Sequence, residues 1–143
     1  MASSFHLQIP QLKKLGPICT ITLRPSCPAI RILKNKNKKI PIIQVKALID
    51  TGASHTAISQ NVIKYLKLVA RGTVQVYTSS RTSEIRNEYD ISLKFDSKPY
   101  IEVLRVLEAR LPDQRIECLI GRDVLQFCVF TYNGRKKEIQ LKF

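Results

Sequence analysis

Apolar and polar residues alternate with a period of two along most of this chain, which predicts many short β-strands. Turn residues separate these segments, and no repeat of solenoid length is present. The pattern therefore predicts an all-β protein with a barrel-like or sandwich body. The predicted strands are residues 18–24, 30–33, 40–50, 55–58, 100–106 and 116–120, with hairpins over 73–95 and 128–143.

Helical spacing of apolar residues is confined to two short segments. Ser59 is a good N-cap for a helix over about Gln60–Leu68, and Gly72 would end that region. A second helical turn is predicted at Arg122–Gln126. The body is thus expected to carry one or two short helices.

The first residues differ in pattern from the rest of the chain. Pro10 interrupts residues 1–16, and Gly16-Pro17 marks a break at their end. We expect an N-terminal arm over 1–16, which could form an edge strand on the body or on a partner, and one domain over 17–143.

Length and composition are compatible with a single globular domain. The chain has 143 residues, of which 44% are hydrophobic, enough for a modest core. No apolar run approaches the roughly 18–20 residues of a membrane-spanning helix, so we expect no membrane association. Because the N-terminus lacks a charged start followed by an apolar stretch, we expect no signal peptide and a cytoplasmic location.

The chain is strongly basic, with a formal net charge of +13. Such a charge raises the question of a nucleic-acid or other anionic partner. The two basic runs, Lys34–Lys39 and Arg135–Lys137, resemble hairpin loops without interleaved aromatic residues. The sequence therefore favours solvated loops over a nucleic-acid interface, which stays the less favoured interpretation.

The four cysteines suggest neither a disulfide framework nor a metal centre. Cys19, Cys27, Cys118 and Cys128 form no C-x-x-C pair and have no metal-site spacing to a histidine. We interpret them as free thiols that act as small core hydrophobes, and expect no metal or cofactor.

The main chemical feature is an acid at the end of an apolar strand, in Ala47-Leu48-Ile49-Asp50-Thr51-Gly52-Ala53-Ser54. A carboxylate in apolar surroundings loses hydration, so it must be paired, hydrogen-bonded or protonated. Two such carboxylates about 3 Å apart share one proton and can act as base and acid in peptide hydrolysis. A neighbouring hydroxyl can bond across the pair, and a glycine lets backbone pass close by.

Only one such acid is present, because none of the other ten acids ends a strand before a hydroxyl residue and glycine. Asp123 comes closest, but it follows Gly121-Arg122 on the predicted helical turn. The chemistry thus requires a second copy of the chain, with Asp50 facing Asp50 across a twofold axis. It predicts a homodimer.

These residues resemble the active-site motif of the retropepsins, the retroviral-type aspartic proteases. The later segment Cys118-Leu119-Ile120-Gly121-Arg122-Asp123-Val124-Leu125 resembles their second motif, and a hairpin lies between the two at the position of the flap. The resemblance covers roughly residues 17–143. It implies a closed barrel lobe, a flap hairpin, a twofold homodimer, and an aspartic endopeptidase without cofactor that cleaves proteins or peptides best at mildly acidic pH.

The resemblance also implies a role for each motif residue. Asp50 is the catalytic acid, Thr51 joins a hydrogen-bond network across the dimer axis, and Gly121 lies beneath the active-site loop. Arg122 is structural, through an ion pair with Asp123 or Glu117 if either is in reach. The residues implied in substrate binding are Gly52, Ala53 and Ser54 of the loop and Tyr77, Thr78, Ser79, Ser80 and Arg81 of the flap.

The sequence departs from the viral pattern at two places. The flap tip, residues 77–82, has no glycine, and Ser54-His55 stands where viral members often have an acid. A non-catalytic dimerisation or peptide-binding module of the same fold is therefore the alternative hypothesis. His55 itself is interpreted as a surface or strand residue.

Overall fold

The computed structural model describes residues 3–77, 79–96, 100–111 and 115–143. Short strands dominate, with four short helices among these residues. The strands are β1 (Ser4–Gln8), β2 (Ile18–Pro25), β3 (Ile43–Ile49), β4 (Ala57–Ser59), β5 (Gly72–Tyr77), β6 (Ser83–Phe95), β7 (Tyr100–Ala109), β8 (Cys118–Ile120), β9 (Val129–Asn133) and β10 (Glu138–Lys142). The helices are α1 (Leu12–Leu15), α2 (Cys27–Asn35), α3 (Gln60–Tyr65) and α4 (Arg122–Leu125).

Seven of the strands form one sheet in the order β2-β3-β8-β4-β7-β6-β5. Because β2 also pairs with β6, the first six strands in this order close into a barrel. Period-two alternation places Cys19, Ile21 and Leu23 of β2 inside, each at most 2% exposed. The predicted all-β, barrel-like body is confirmed.

The N-terminal residues add an edge strand to a second, smaller sheet. Its order is β1-β10-β9, with both pairings antiparallel. Phe5 lies 6.0 Å from Phe95 between ring centroids, and Phe95 lies 5.5 Å from Phe143. These rings join the small sheet to the barrel core, and Leu12 of α1, which is 2% exposed, packs into the same core.

Residues 30–33, predicted as a strand, lie instead in α2, so that prediction is wrong. Ser26 accepts a hydrogen bond from the Ala29 backbone N–H at 3.4 Å, and Pro28 occupies the first turn, where its missing N–H costs nothing. Only Ile30 of the helix is buried. The predicted hairpin loop over 34–39 is also wrong. This basic segment includes the end of α2 and part of the connection from that helix to β3, so it does not join two paired strands.

The two helices that the sequence predicted are present as α3 and α4. Ser59 caps α3 by accepting from the Val62 backbone N–H at 3.3 Å. The helix ends well before Gly72, because Lys67 takes a left-handed conformation at φ 54°. No helix within the described residues has the length and apolar character needed to cross a bilayer.

The predicted hairpin over 128–143 is present as β9 and β10. Asn133 pairs with Glu138, so residues 134–137 form a four-residue connection. The Asn133 side-chain oxygen accepts from the Lys136 backbone N–H at 3.1 Å. Lys137, at φ 55°, adopts the left-handed conformation in this connection.

Two of the cysteines behave as the predicted buried hydrophobes. Cys19 and Cys118 are at most 2% exposed and lie on either side of Ala47 in the sheet. Burial raises the pKa of the Cys19 thiol to about 12 and also raises the pKa of the Cys118 thiol. Both thiols are therefore neutral at physiological pH and add apolar volume to the core.

Candidate active site

The loop that carries Asp50 leaves the barrel where β3 runs parallel to β8. The Asp50 backbone N–H donates to the Ile120 carbonyl at 2.9 Å, one step beyond the strand pairing. On the other side of β3, the Ile49 N–H donates to the Pro17 carbonyl at 3.0 Å. The base of the loop is therefore fixed by hydrogen bonds from both neighbouring segments, and the half-buried Asp50 projects from a rigid position.

A tight turn orients the Asp50 carboxylate. Its Oδ1 accepts from the Gly52 backbone N–H at 2.9 Å, and the Ala53 N–H donates to the Asp50 carbonyl at 3.2 Å. A Cβ atom at position 52 would lie 3.2 Å from this Oδ1. Glycine thus leaves room for the carboxylate, and its N–H fixes the orientation of Oδ1.

The second motif packs directly against this loop. The Arg122 N–H donates to the Ala53 carbonyl at 2.8 Å. A Cβ atom on Gly121 would lie 2.6 Å from the carbonyl carbon of His55 and 2.7 Å from its oxygen. The backbone chains approach so closely that only glycine fits at position 121, which agrees with its expected place beneath the loop.

A buried hydrogen-bond bridge between Thr56 and Asp123 joins the two motifs, and no sequence pattern indicated it. The Thr56 Oγ1 donates to Asp123 Oδ1 at 2.7 Å, and the Thr56 N–H donates to Oδ2 at 2.9 Å. The same hydroxyl accepts from the Gly121 N–H at 3.1 Å. Thr56 is 0% exposed, so these bonds are shielded from water.

The bridge shows what the Asp123 carboxylate does, which bears on whether Asp123 could be a second acid beside Asp50. Both of its carboxylate oxygens accept hydrogen bonds, and Oδ1 also accepts from the Val124 N–H at 2.9 Å. Its side chain is therefore engaged in holding the end of the Asp50 loop, at Thr56, against α4. This leaves Asp123 unsuited to be the second acid beside Asp50.

Arg122 contacts the loop in a different way from the one expected. Its Nη1 donates to the Thr51 carbonyl at 2.7 Å. The expected ion pair is not formed within the described residues, since Asp123 binds Thr56 and Glu117 accepts from the Asn61 side chain at 2.8 Å. Arg122 thus ties the loop to α4 through a carbonyl.

The residues expected to bind substrate fall into two groups. Gly52, Ala53 and Ser54 share the loop with Asp50, and the exposed Ser54 Oγ lies 2.9 Å from His55 Nδ1. The flap residues lie at the far end of the β5–β6 hairpin, where Tyr77 is 76% exposed. Thr78 lies outside the described residues.

The tip of the hairpin turns without a glycine. Arg81 takes the left-handed conformation at φ 63°, which glycine usually occupies in such turns. The Ser80 and Thr82 hydroxyl oxygens lie 3.0 Å apart, within hydrogen-bonding distance. Ser79, Ser80 and Arg81 are all exposed, so their side chains are accessible at the tip.

A small apolar cluster connects the hairpin to the strand that follows the Asp50 loop. Its buried members, Ala57, Leu107 and Ala109, come from β4 and β7. Val74 and Val76 of β5 pack against them. Both valines are half-buried, and this packing anchors the base of the β5–β6 hairpin.

The comparisons with known proteins agree with this geometry. A family model described as gag-polyprotein putative aspartyl protease matches residues 39–126. The structure resembles a retropepsin-like aspartic protease from Rickettsia conorii, with a TM-score of 0.61 and 13% identity over 100% of this chain and 93% of that one. At this identity the likeness shows the fold alone, and it confirms the predicted retropepsin-like barrel.

Two further solved structures are more distant. EIAV protease complexed with the inhibitor HBY-793 has a TM-score of 0.48 and 18% identity over 78% of this chain and 86% of that one. The retroviral protease-like domain of Ddi1 from Leishmania major has a TM-score of 0.39 and 17% identity over 65% of this chain and 74% of that one. No curated protein sequence matches the chain.

Proposed function

The chain belongs to the gag-polyprotein putative aspartyl protease family, and on this premise we propose that it is an aspartic endopeptidase active as a homodimer. One observation carries the proposal. Asp50 sits on a loop that the second motif holds rigidly, and its Oδ1 is fixed by the Gly52 N–H at 2.9 Å. A carboxylate held in this way is suited to orient a water molecule.

The second carboxylate comes from the partner copy. Among the described residues, several other acids already have a partner within the chain. Asp123 binds Thr56, Glu138 contacts His6, and Asp90 is paired with Arg105. A twofold axis beside Asp50 would bring two identical carboxylates together, with Thr51 placed to bond across the axis.

In the proposed reaction, water lies between the two Asp50 side chains, which share one proton. The ionised carboxylate takes a proton from the water as its oxygen attacks the scissile carbonyl carbon. The protonated carboxyl group donates to the carbonyl oxygen, which gives a tetrahedral gem-diol. The carboxyl group that took the water proton then protonates the amine nitrogen as the C–N bond breaks, and its partner takes a proton back from the gem-diol. Closure of the flap, with Tyr77 and residues 79–81 against the peptide, would exclude bulk water.

A peptide-library digest tests this function. Wild-type protein, with its dimeric state verified, is incubated with the library in water enriched in ¹⁸O between about pH 4 and pH 8. We expect cleavage that is greatest at mildly acidic pH, where the pair retains its shared proton. Because water supplies the new oxygen, one ¹⁸O atom should enter each new carboxyl terminus, which marks the products of cleavage. A verified dimer that cleaves nothing at any pH would favour the non-catalytic peptide-binding alternative.

Exposed apolar side chains just after α4 support the homodimer. Phe127 is 71% exposed and Val129 is 64% exposed. Val129 begins β9, which lies at the edge of the small sheet among the described strands. Large apolar residues beside an open strand edge favour association with another chain. Since α4 begins at Arg122, which contacts the Asp50 loop, a partner covering this surface would lie close to the site.

We expect Phe127→Ser to weaken the dimer and to lower activity in parallel. Loss of a buried phenylalanine contact from each copy should raise the dimer dissociation constant by at least about tenfold. Sedimentation equilibrium measures this constant, and peptide cleavage over a range of protein concentrations reports activity. Val69→Ser is the matched control, because Val69 is 80% exposed on the segment between α3 and β5. If the Phe127 variant and wild type dimerise equally well, this surface is not the dimer interface.

A further inference from the structure

An open groove lies between α1 and the turn that joins β9 to β10, with a volume of about 740 Å³. Lys13 and Lys14 line one wall, and Tyr132 and Lys137 line the other. Both lysines of α1 are exposed, and Tyr132 is 49% exposed. The lining of the groove therefore combines three cationic residues with one accessible aromatic residue.

The walls of the groove are held in place by the fold. The Ile9 N–H donates to the Lys137 carbonyl at 2.7 Å, which joins the N-terminal arm to the turn. Leu12 is 2% exposed and anchors α1 to the core. On the opposite wall, the Asn133 side chain accepts from the Lys136 N–H at 3.1 Å. The basic residues thus stand on a preformed surface, which lowers the entropy lost when a ligand binds.

The charge around the groove is almost entirely of one sign. The segments that build the small sheet, 3–16 and 129–143, contain one acid, Glu138. This acid contacts His6 Nε2 at 3.1 Å, so a partner already lies beside it. The basic residues of the same segments are Lys13, Lys14, Arg135, Lys136, Lys137 and Lys142. The result is a positive potential that attracts anions.

We propose that this groove binds single-stranded nucleic acid. Lysines along both walls can follow a phosphate backbone, while the exposed ring of Tyr132 can stack on an unpaired base. A concave site whose lining combines lysines with an exposed ring fits a single strand better than it fits a flat membrane surface. An acidic peptide would satisfy the lysines but would leave the ring without a stacking partner.

The sequence pattern disfavoured a nucleic-acid partner because no aromatic residue interrupts the basic runs. The structure changes that argument, since β9 places Tyr132 beside Lys13 and Lys14, which lie more than a hundred residues earlier in the chain. None of these residues belongs to the Asp50 site. The inference therefore goes beyond peptide cleavage, and binding can be measured independently of it.

Fluorescence anisotropy with labelled 20-mers of uridine and of thymidine tests the proposal between about 50 and 300 mM salt. We expect wild-type protein to bind both, with affinity that falls steeply as salt rises. Lys13→Gln/Lys14→Gln should weaken binding by at least about fivefold and reduce the slope of log K against log salt by roughly 1.4. Tyr132→Leu should weaken binding about tenfold, whereas Tyr132→Phe, which keeps the ring, should bind like wild type.

The matched control is Lys36→Gln/Lys38→Gln, which removes the same charge from exposed positions between α2 and β3. It should change the affinity by less than about twofold. The proposal is overturned if neither oligonucleotide binds at about 50 mM salt, or if the control weakens binding as much as the groove lysines do. It is also overturned if Tyr132→Leu binds like wild type, or if polyglutamate or anionic vesicles compete as well as unlabelled oligonucleotide.

Discussion

Replacing Asp50 with asparagine is expected to lower kcat/KM for peptide cleavage by at least about 10³-fold while leaving the fold and the dimer intact. Asparagine has the same shape as aspartate, and its side-chain oxygen can still accept from the Gly52 N–H. What it lacks is the ability to take a proton from water. Cleavage is measured with the best peptide from the library digest, and circular dichroism and sedimentation report fold and assembly.

The matched control for this variant is Asp96→Asn. Asp96 is exposed at the end of β6 and is not part of the loop or the second motif. The control makes the same chemical change and the same change in net charge, so it should cleave at the wild-type rate. Cleavage by Asp50→Asn at a rate similar to the control would contradict the assignment of Asp50.

Mixing wild-type protein with Asp50→Asn distinguishes an active site shared by two copies from one that each copy forms alone. If each active site needs two Asp50 carboxylates, adding an equal amount of Asp50→Asn to fully dimeric wild-type protein leaves only wild-type homodimers active. Random exchange then lowers the activity of a fixed amount of wild-type chain to about half. Unchanged activity after complete exchange would indicate that one Asp50 is sufficient, and the dimeric mechanism would be wrong.

The parts of the fold that the sequence predicted are those in which burial alternates along a strand. β2 alternates, and the hairpin of β5 and β6 and that of β9 and β10 carry turn residues between strand-like runs. In these segments the local pattern and the tertiary environment favour the same structure. The period of the pattern was therefore sufficient to locate them.

α2 shows where that approach is insufficient. Residues 30–33 include two isoleucines and a leucine in four positions, which is compatible with a short strand. The capping serine at position 26 and the proline at 28 indicated a helix start, and these signals were stronger than β-propensity over four residues. α1 is shorter still, at four residues, and its position depends on the burial of Leu12, which no local pattern reveals.

The motifs located the candidate site, but not the contacts that hold it together. Asp50 could be singled out because an acid is unusual at the end of an apolar strand. Gly52 and Gly121 could be singled out because they lie in the two motifs that resemble the retropepsin pattern. The Thr56–Asp123 bridge joins residues 67 positions apart, and neither residue type is unusual at its position. Its existence depends on how β4 and α4 pack, so only the tertiary structure reveals it.

Gly121→Ala is expected to be the most destabilising single substitution near the site. The added Cβ would lie 2.6 Å from the carbonyl carbon of His55 and 3.0 Å from the Ala53 carbonyl oxygen. These are backbone atoms, and they cannot move aside as a flexible side chain would. We expect a loss of at least about 3 kcal/mol in the free energy of unfolding, or roughly 10 °C in Tm. Urea denaturation at fixed protein concentration measures it.

Gly134→Ala is the matched control, since it adds the same methyl group in an ordinary turn. A Cβ there would lie 3.5 Å from the Tyr132 ring, a normal van der Waals distance, so we expect a change below about 0.5 kcal/mol. If Gly121→Ala were as stable as this control, the close approach of the two motifs would be wrong. If it folds with reduced stability, the loop must have shifted to admit the methyl group. Asp50 would then be displaced, and cleavage should fall more than the fraction unfolded explains.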